Sequence, residues 1–165
     1  MRTYDGDTGH PRHALLVDDD AALRGLLCVL LKQMGFEATV AQNGYEALEV
    51  LEREGHARFE VMITDIRMPG MDGMELARHV RATDSQLPIL FISGYSPSMG
   101  SIERGLDERS DFLRKPFAFG TFSQRVESLI ERASQEQSPV ASESELSHRE
   151  SFDLRPVHQK VKGPV

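Results

Sequence analysis

Hydrophobic residues along this chain fall into short uninterrupted runs separated by longer segments with helical spacing. The runs at residues 14–17, 61–63 and 88–92 contain no polar alternation, which is typical of parallel strands covered on both faces. Over residues 21–34, leucine and methionine recur with the spacing of one helix face. The pattern therefore predicts strands that alternate with helices.

The same pattern divides most of the chain into such elements. Strands are predicted at residues 14–17, 36–41, 61–63, 88–93 and 111–114, and helices at 21–34, 43–54, 72–82 and 120–133. A further helix within residues 96–109 is expected to be short, because Pro97, Gly100 and Gly105 disfavour it. Right-handed crossovers place helices on both faces of such a sheet. The prediction is a doubly wound α/β fold with a five-stranded parallel sheet in the flavodoxin-like order 2-1-3-4-5.

The length of 165 residues suits one folded domain. Residues 13–133 carry the periodic apolar pattern and are assigned to that domain. Residues 1–12 and 134–165 are polar, with few apolar residues, so they are predicted to be a disordered lead-in and a disordered tail.

Charge and cysteine content narrow the function classes. The net charge of -7 disfavours direct binding to nucleic acid. The single Cys28 cannot form an internal disulfide, and the longest apolar run is too short to cross a bilayer. A cytoplasmic protein that does not insert into membranes is the expectation.

Carboxylates end two of the predicted strands. Asp18 and Asp19 follow the first predicted strand, and Asp65 comes two residues after the apolar run of the third, at 61–63. The carboxyl ends of parallel strands form the ligand-binding edge of such sheets. Two charges about 4 Å apart repel by about 4 kcal/mol at an effective dielectric of 20, so the cluster needs a proton or a cation. Oxygen ligands favour Mg²⁺. The neighbouring Asp20 and the more distant Asp72 are instead interpreted as helix caps.

Ser93 ends the fourth predicted strand and Lys115 follows the fifth, and together they complete a set suited to phosphoryl transfer. In this interpretation the early aspartates hold Mg²⁺, and Asp65 coordinates it and attacks phosphorus. Ser93 donates a hydrogen bond to one phosphoryl oxygen, and Lys115 neutralises another. Positioning and charge stabilisation are most of what in-line transfer requires.

Five motifs, four of which contain these residues, resemble the receiver domain of two-component response regulators over residues 12–133. They are LLVDDD, AQNGYEAL, ITDIRMPGMDG, FISGY and FLRKPF. The resemblance implies a signalling phosphoacceptor that promotes only its own phosphorylation and dephosphorylation, and is not otherwise an enzyme. It also implies a cis peptide bond between Lys115 and Pro116.

The resemblance assigns roles within the site. Asp65 is the implied phosphoacceptor. Asp18 or Asp19, Asp65 and the backbone carbonyl of Arg67 are the implied Mg²⁺ ligands. Ser93 and the aromatic Phe112 are the implied switch residues.

Two further side chains are implied to set the lifetime of the aspartyl phosphate. They lie two residues beyond the phosphoacceptor and two beyond the switch serine, and here they are Arg67 and Tyr95. A guanidinium and a bulky ring are expected to obstruct the hydrolytic water, so dephosphorylation is expected to be slow.

The implied partners are a histidine kinase or a histidine phosphotransfer protein as phosphodonor, and an unidentified downstream protein. Gly25, Cys28 and Val29 on the first helix are predicted to form an apolar docking patch for the phosphodonor. The pattern departs from the family before the fifth strand, where Glu108 and Arg109 replace a small Gly-Ala pair, and at Phe112, where Tyr is common.

Alternatives from other classes remain open. A flavodoxin-like carrier of a flavin would need a Ser/Thr/Gly-rich loop after the first strand, where residues 18–20 would repel phosphate. A degenerate receiver that acts as an adaptor without phosphorylation is weakened because all the chemical positions are filled. The first hypothesis is a stand-alone receiver without an output domain.

Overall fold

The computed structural model describes residues 11–84, 86–94 and 105–135, and these form one parallel sheet with helices on both faces. Its strand order is β2-β1-β3-β4-β5, which confirms the predicted topology. The strands are β1 (Arg12–Val17), β2 (Phe36–Ala41), β3 (Val61–Asp65), β4 (Ile89–Ser93) and β5 (Ser110–Arg114). The helices are α1 (Ala21–Gln33), α2 (Gly44–Glu54), α3 (Gly73–Thr83) and α4 (Phe119–Gln135), with a 3-10 turn at His56–Arg58.

The boundaries of the interior elements agree with the sequence pattern to within two residues, and the folded domain extends beyond its predicted limits at both ends. Strand β1 begins at Arg12, which the sequence assigned to the lead-in. Its guanidinium pairs with Glu60 and Glu127, each at 2.9 Å, and lies 4.0 Å from the ring centre of Phe36. These partners are distant in sequence, so local composition does not reveal them. Helix α4 likewise extends to Gln135, beyond the boundary at 133.

The short helix expected within residues 96–109 falls largely outside the described residues. Residues 105–109 are described, and they form turns before β5. Arg81 at the end of α3 holds this segment through Asp107, at 2.7 Å, and through the backbone carbonyl of Arg109, at 3.2 Å.

Each face of the sheet carries a hydrophobic cluster. Met62 and Phe91 pack beneath α2 and α3, whereas Ile63 and Leu90 pack beneath α1 and α4. Because successive strand residues point to opposite faces, the uninterrupted apolar runs fill both clusters. No helix in the described part of the chain is long and apolar enough to cross a membrane.

Helices α1, α2 and α3 begin at side-chain caps that hold their first turns at the carboxyl edge of the sheet. Asp20 accepts hydrogen bonds from the N–H groups of Ala22 and Leu23, and Asp72 accepts one from Glu75. Each satisfies helix N–H groups that otherwise lack partners. Asp20 and Asp72 are therefore caps, as predicted.

Candidate phosphoacceptor site

The ends of β1, β3, β4 and β5 bring four of the predicted site residues to one edge of the sheet. Asp18, Asp65 and Ser93 are buried, with exposed fractions of 2%, 7% and 2%, and the Lys115 side chain is 28% exposed. The register explains the grouping, since Asp65 at the end of β3 pairs with Ile92, the residue before Ser93. Nearly buried carboxylates require partners.

Lys115 joins the two carboxylates. Its Nζ donates a hydrogen bond to Asp65 Oδ1 at 2.7 Å and lies 3.6 Å from Asp18 Oδ2. Its backbone N–H donates to the carbonyl oxygen of Ser93 at 2.8 Å, which ties the end of β5 to β4. The Lys115–Pro116 peptide bond is cis, as the family resemblance implied.

Asp18 is the buried carboxylate of the site whose hydrogen bonding is incomplete. Its Oδ1 accepts a hydrogen bond from the N–H of Asp20 at 2.8 Å, whereas Oδ2 is buried without a hydrogen-bond partner. Burial raises the pKa of Asp18 above its ordinary value; the Asp20 hydrogen bond and the Lys115 charge counteract this, and the charges of Asp65 and Asp19 add to it. The site therefore disfavours a second negative charge unless a cation is supplied.

These carboxylates fit an Mg²⁺ ion. The donors are all oxygens, and Asp18 Oδ2 is an unsatisfied buried acceptor. Among the described residues no three carboxylate, imidazole or thiol groups converge as metal ligands, and Asp19 is exposed. Two carboxylates are nevertheless a usual protein contribution, because Mg²⁺ retains several waters. Asp18 and Asp65 are the pair that the fold brings together.

The backbone of Asp65 is held in place by two residues that sequence reasoning missed. The buried Thr64 donates from Oγ1 to the carbonyl oxygen of Asp65 at 2.9 Å. Gly73, the first residue of α3, donates a hydrogen bond from its N–H to the carbonyl oxygen of Ile66 at 2.8 Å. A Cβ atom at Gly73 would overlap the carbonyl oxygen of Asp65. The glycine directly after the Asp72 cap was the sequence signal for this close approach.

The remaining predicted site residues lie around this centre. Phe112 is 7% exposed and packs in the cluster beneath α2 and α3. Arg67 is exposed, and its Nη2 lies 3.7 Å from the position of a Cβ built on Gly94. The guanidinium thus lies over the residue that follows Ser93. Tyr95 lies outside the described residues.

The exposed face of α1 differs from the predicted docking patch. Val29 is 54% exposed and Gly25 is exposed, but Cys28 is partly buried and packs against the core. Leu26, also 54% exposed, takes its place. Cys28 directly follows the fully buried Leu27, so it flanks the buried face of the helix.

Comparisons with known proteins agree with this architecture. The family model for the response regulator receiver domain matches residues 14–127. Transcriptional regulatory protein TrcR of Mycobacterium tuberculosis is 32% identical, over 80% of this chain and 50% of that protein. Transcriptional regulatory protein FixJ of Bradyrhizobium diazoefficiens is 35% identical, over 73% and 58%. The chain spans about half the length of the curated relatives it matches.

Solved structures give the same result. A response regulator receiver protein from Sinorhizobium medicae has a TM-score of 0.67 and 31% identity, covering 75% of this chain and 98% of that one. The receiver domain of the hybrid histidine kinase CckA has a TM-score of 0.60 and 32% identity, covering 72% and 98%. With its fold, its strand-end residues and these matches, the chain belongs to the response regulator receiver family.

Proposed function

We propose that this receiver accepts a phosphoryl group on Asp65 in an Mg²⁺-dependent reaction and signals through protein contacts. The observation that carries the proposal is the arrangement of three groups. Lys115 Nζ lies 2.7 Å from Asp65 Oδ1, and beside them Asp18 presents a buried oxygen without a hydrogen bond. One positive and two negative groups at a strand edge suit a site that admits a dianion only together with a divalent cation.

The transfer uses side chains in fixed positions. Lys115 occupies Oδ1 of Asp65, and among the described residues Oδ2 of Asp65 accepts no hydrogen bond. Oδ2 is therefore the oxygen that attacks: its lone pair forms the new bond to phosphorus, and the bond from phosphorus to the donor breaks with its electron pair leaving on the donor. Lys115 then pairs with one phosphoryl oxygen, and the Ser93 hydroxyl donates to another.

Bound Mg²⁺ would neutralise phosphoryl charge during the transfer. Asp18 and Asp65 would hold it, and Asp19 and the backbone carbonyl of Arg67 are further ligands by family resemblance. The covalent phosphoryl group would then change the surface that a partner reads through Ser93 and Phe112. A histidine kinase or phosphotransfer protein is the proposed donor, and the net charge of -7 favours a protein over nucleic acid as the downstream partner. Action without an output domain stays a prediction.

Acetyl phosphate labelling tests the proposal. The protein incubated with acetyl phosphate and Mg²⁺ is expected to gain one phosphoryl group, measured by intact-protein mass spectrometry. An Asp65→Ala variant and the wild type in excess EDTA are expected to gain none. Labelling that persists in either sample contradicts the proposal, and an adaptor that acts without phosphorylation would show no labelling at all.

The lifetime of the phosphoryl group is the next expectation. The Arg67 guanidinium lies over Gly94, beside Ser93, so it is placed to pair with phosphoryl oxygens and obstruct an in-line water. The variant Arg67→Asn with Tyr95→Glu is expected to lose phosphate faster than the wild type. Phosphate release after removal of the donor measures this; an unchanged decay rate shows that these side chains do not gate the water.

The exposed α1 face is the proposed site for the phosphodonor. Leu26 and Val29 are each 54% exposed and are three residues apart on the helix, so they form one apolar surface. Replacing both with Glu is expected to slow phosphotransfer from the cognate kinase while leaving labelling by acetyl phosphate unchanged. A loss of both reactions would indicate misfolding, and a loss of neither would remove α1 from the interface.

A further inference from the structure

Arg24 is the fourth residue of α1 and carries a positive charge at a place where helices disfavour it. The amino end of a helix bears partial positive charge, so a cation in the first turn is electrostatically unfavourable. Arg24 is nevertheless half-buried, and its Nη1 donates a short hydrogen bond of 2.6 Å to the backbone carbonyl of Asp18. That contact accounts for a cationic side chain that the helix dipole does not favour at this position.

The hydrogen bond completes the support of Asp18. The Asp18 N–H donates to the carbonyl of Ala41 at 3.2 Å, and its Oδ1 accepts from the N–H of Asp20 at 2.8 Å. Three polar atoms of Asp18 are therefore held. Its N–H is bound by β2, its Oδ1 by the N-cap residue of α1, and its carbonyl oxygen by Arg24 within α1. The oxygen left over is Oδ2, which is buried and accepts no hydrogen bond, with Lys115 Nζ 3.6 Å away. These anchors therefore fix the direction of the free oxygen.

Two effects of Arg24 on a cation at this edge have opposite signs. Its charge lies at the backbone carbonyl of Asp18 and would by itself weaken the binding of a nearby Mg²⁺ ion. Its hydrogen bond aims Asp18 at the site and would strengthen binding, as outer contacts to metal ligands generally do. Within the described part of the chain, Arg24 forms no ion pair with a carboxylate, so it does not act by pairing with a metal-binding group.

We propose that Arg24 is a positioning residue, which orders the turn between β1 and α1 so that Asp18 Oδ2 faces the Mg²⁺ site. The positioning effect outweighs the charge repulsion. This inference rests on the proposed Mg²⁺-dependent function. It concerns only how the ligand is held.

Titration calorimetry with Mg²⁺ alone tests the inference on the full chain. Arg24→Met removes the charge and the donor, whereas Arg24→Lys keeps both in a different geometry. We expect the Met variant to have a Kd for Mg²⁺ about ten-fold higher than the wild type, and the Lys variant to recover part of the loss. Arg53→Met, at an arginine whose side chain is 66% exposed, is the matched control and should leave the Kd unchanged.

The outcomes separate positioning from charge and from stability. An unchanged or lower Kd in Arg24→Met overturns the proposal, because loss of charge alone strengthens binding of a cation. Titrations are run well below the melting temperature of each variant, so a purely structural role would leave the Kd unmoved. At saturating Mg²⁺, the rate at which acetyl phosphate labels Arg24→Met should return to within about two-fold of the wild-type rate. This is expected when the substitution impairs only the binding of Mg²⁺.

Failure of the underlying function gives a different result. If the wild type neither binds Mg²⁺ nor becomes labelled, the proposed phosphoacceptor role is wrong. If the wild type does both and Arg24→Met binds Mg²⁺ as the wild type does, only the role of Arg24 is wrong.

Discussion

Gly73→Ala is expected to abolish phosphorylation of Asp65 and to lower the free energy of unfolding by about 3 kcal/mol or more, in the range of severe steric strain. The added methyl group would overlap the carbonyl oxygen of Asp65 and would lie 3.0 Å from Cα of Ile66. Both neighbours are backbone atoms of the segment that leaves β3. Relief of the overlap requires moving either α3 or the phosphoacceptor itself.

The strain at this position comes from contact alone. In the described chain, the glycines with a positive φ are Gly35, Gly55 and Gly70. Gly73 is not among them, so alanine at position 73 meets no dihedral penalty. Gly25 is the matched control, since a Cβ there meets nothing within 4 Å. Gly25→Ala lies inside α1 and should stabilise the protein by about 0.5 to 1 kcal/mol through helix propensity.

Urea unfolding and acetyl phosphate labelling of both variants measure these effects. We expect Gly73→Ala to be less stable than the wild type and Gly25→Ala to be more stable. Labelling should be lost only in Gly73→Ala. Wild-type stability and labelling in Gly73→Ala would mean that the first turn of α3 moves away at little cost. The close approach to Asp65 would then have no bearing on the site.

The strand-end chemistry could be predicted because it depends on local order in the sequence. Asp18, Asp65, Ser93 and Lys115 each lie at or just after the end of a predicted strand. Parallel strands bring their carboxyl ends together whatever the sequence between them. The same reasoning gave the sheet order, since alternating strands and helices allow few unknotted right-handed arrangements.

Contacts that depend on packing could not be predicted in this way. Arg12 pairs with Phe36 of β2 at the start of β1, and its side chain binds Glu60 and Glu127 from distant segments. Nothing in residues 1–12 reveals these partners. Thr64 and Arg24 donate hydrogen bonds to backbone carbonyl oxygens. Every residue has a backbone carbonyl, so the amino-acid sequence does not indicate which one accepts such a bond. The assignment of Cys28 to the exposed docking patch was wrong for a different reason. The leucine spacing of α1 places Cys28 beside the buried face of the helix, and the prediction did not take this into account.

Asp18→Asn is expected to change stability in opposite directions with and without Mg²⁺. In the wild type without metal, burial raises the pKa of Asp18, so the folded state resists ionisation of a carboxyl group that ionises readily in the unfolded chain. Folding is therefore penalised as pH rises through the ordinary pKa of aspartate, and the penalty is complete above the raised pKa. Asparagine has nearly the same shape without the charge.

At neutral pH without metal, Asp18→Asn should consequently unfold at a higher temperature than the wild type, and this gain should shrink as pH falls toward the ordinary aspartate pKa. Mg²⁺ should reverse the order. A ligand at one hundred times its Kd stabilises the folded state by about 2.7 kcal/mol, which the wild type should gain and the variant, lacking a carboxylate at position 18, should not. Melting curves with Mg²⁺ and with EDTA at two pH values measure both effects. If Asp18→Asn is less stable than the wild type in EDTA, burial of the Asp18 carboxylate does not destabilise the metal-free fold. An equal response of both proteins to Mg²⁺ would place the metal elsewhere.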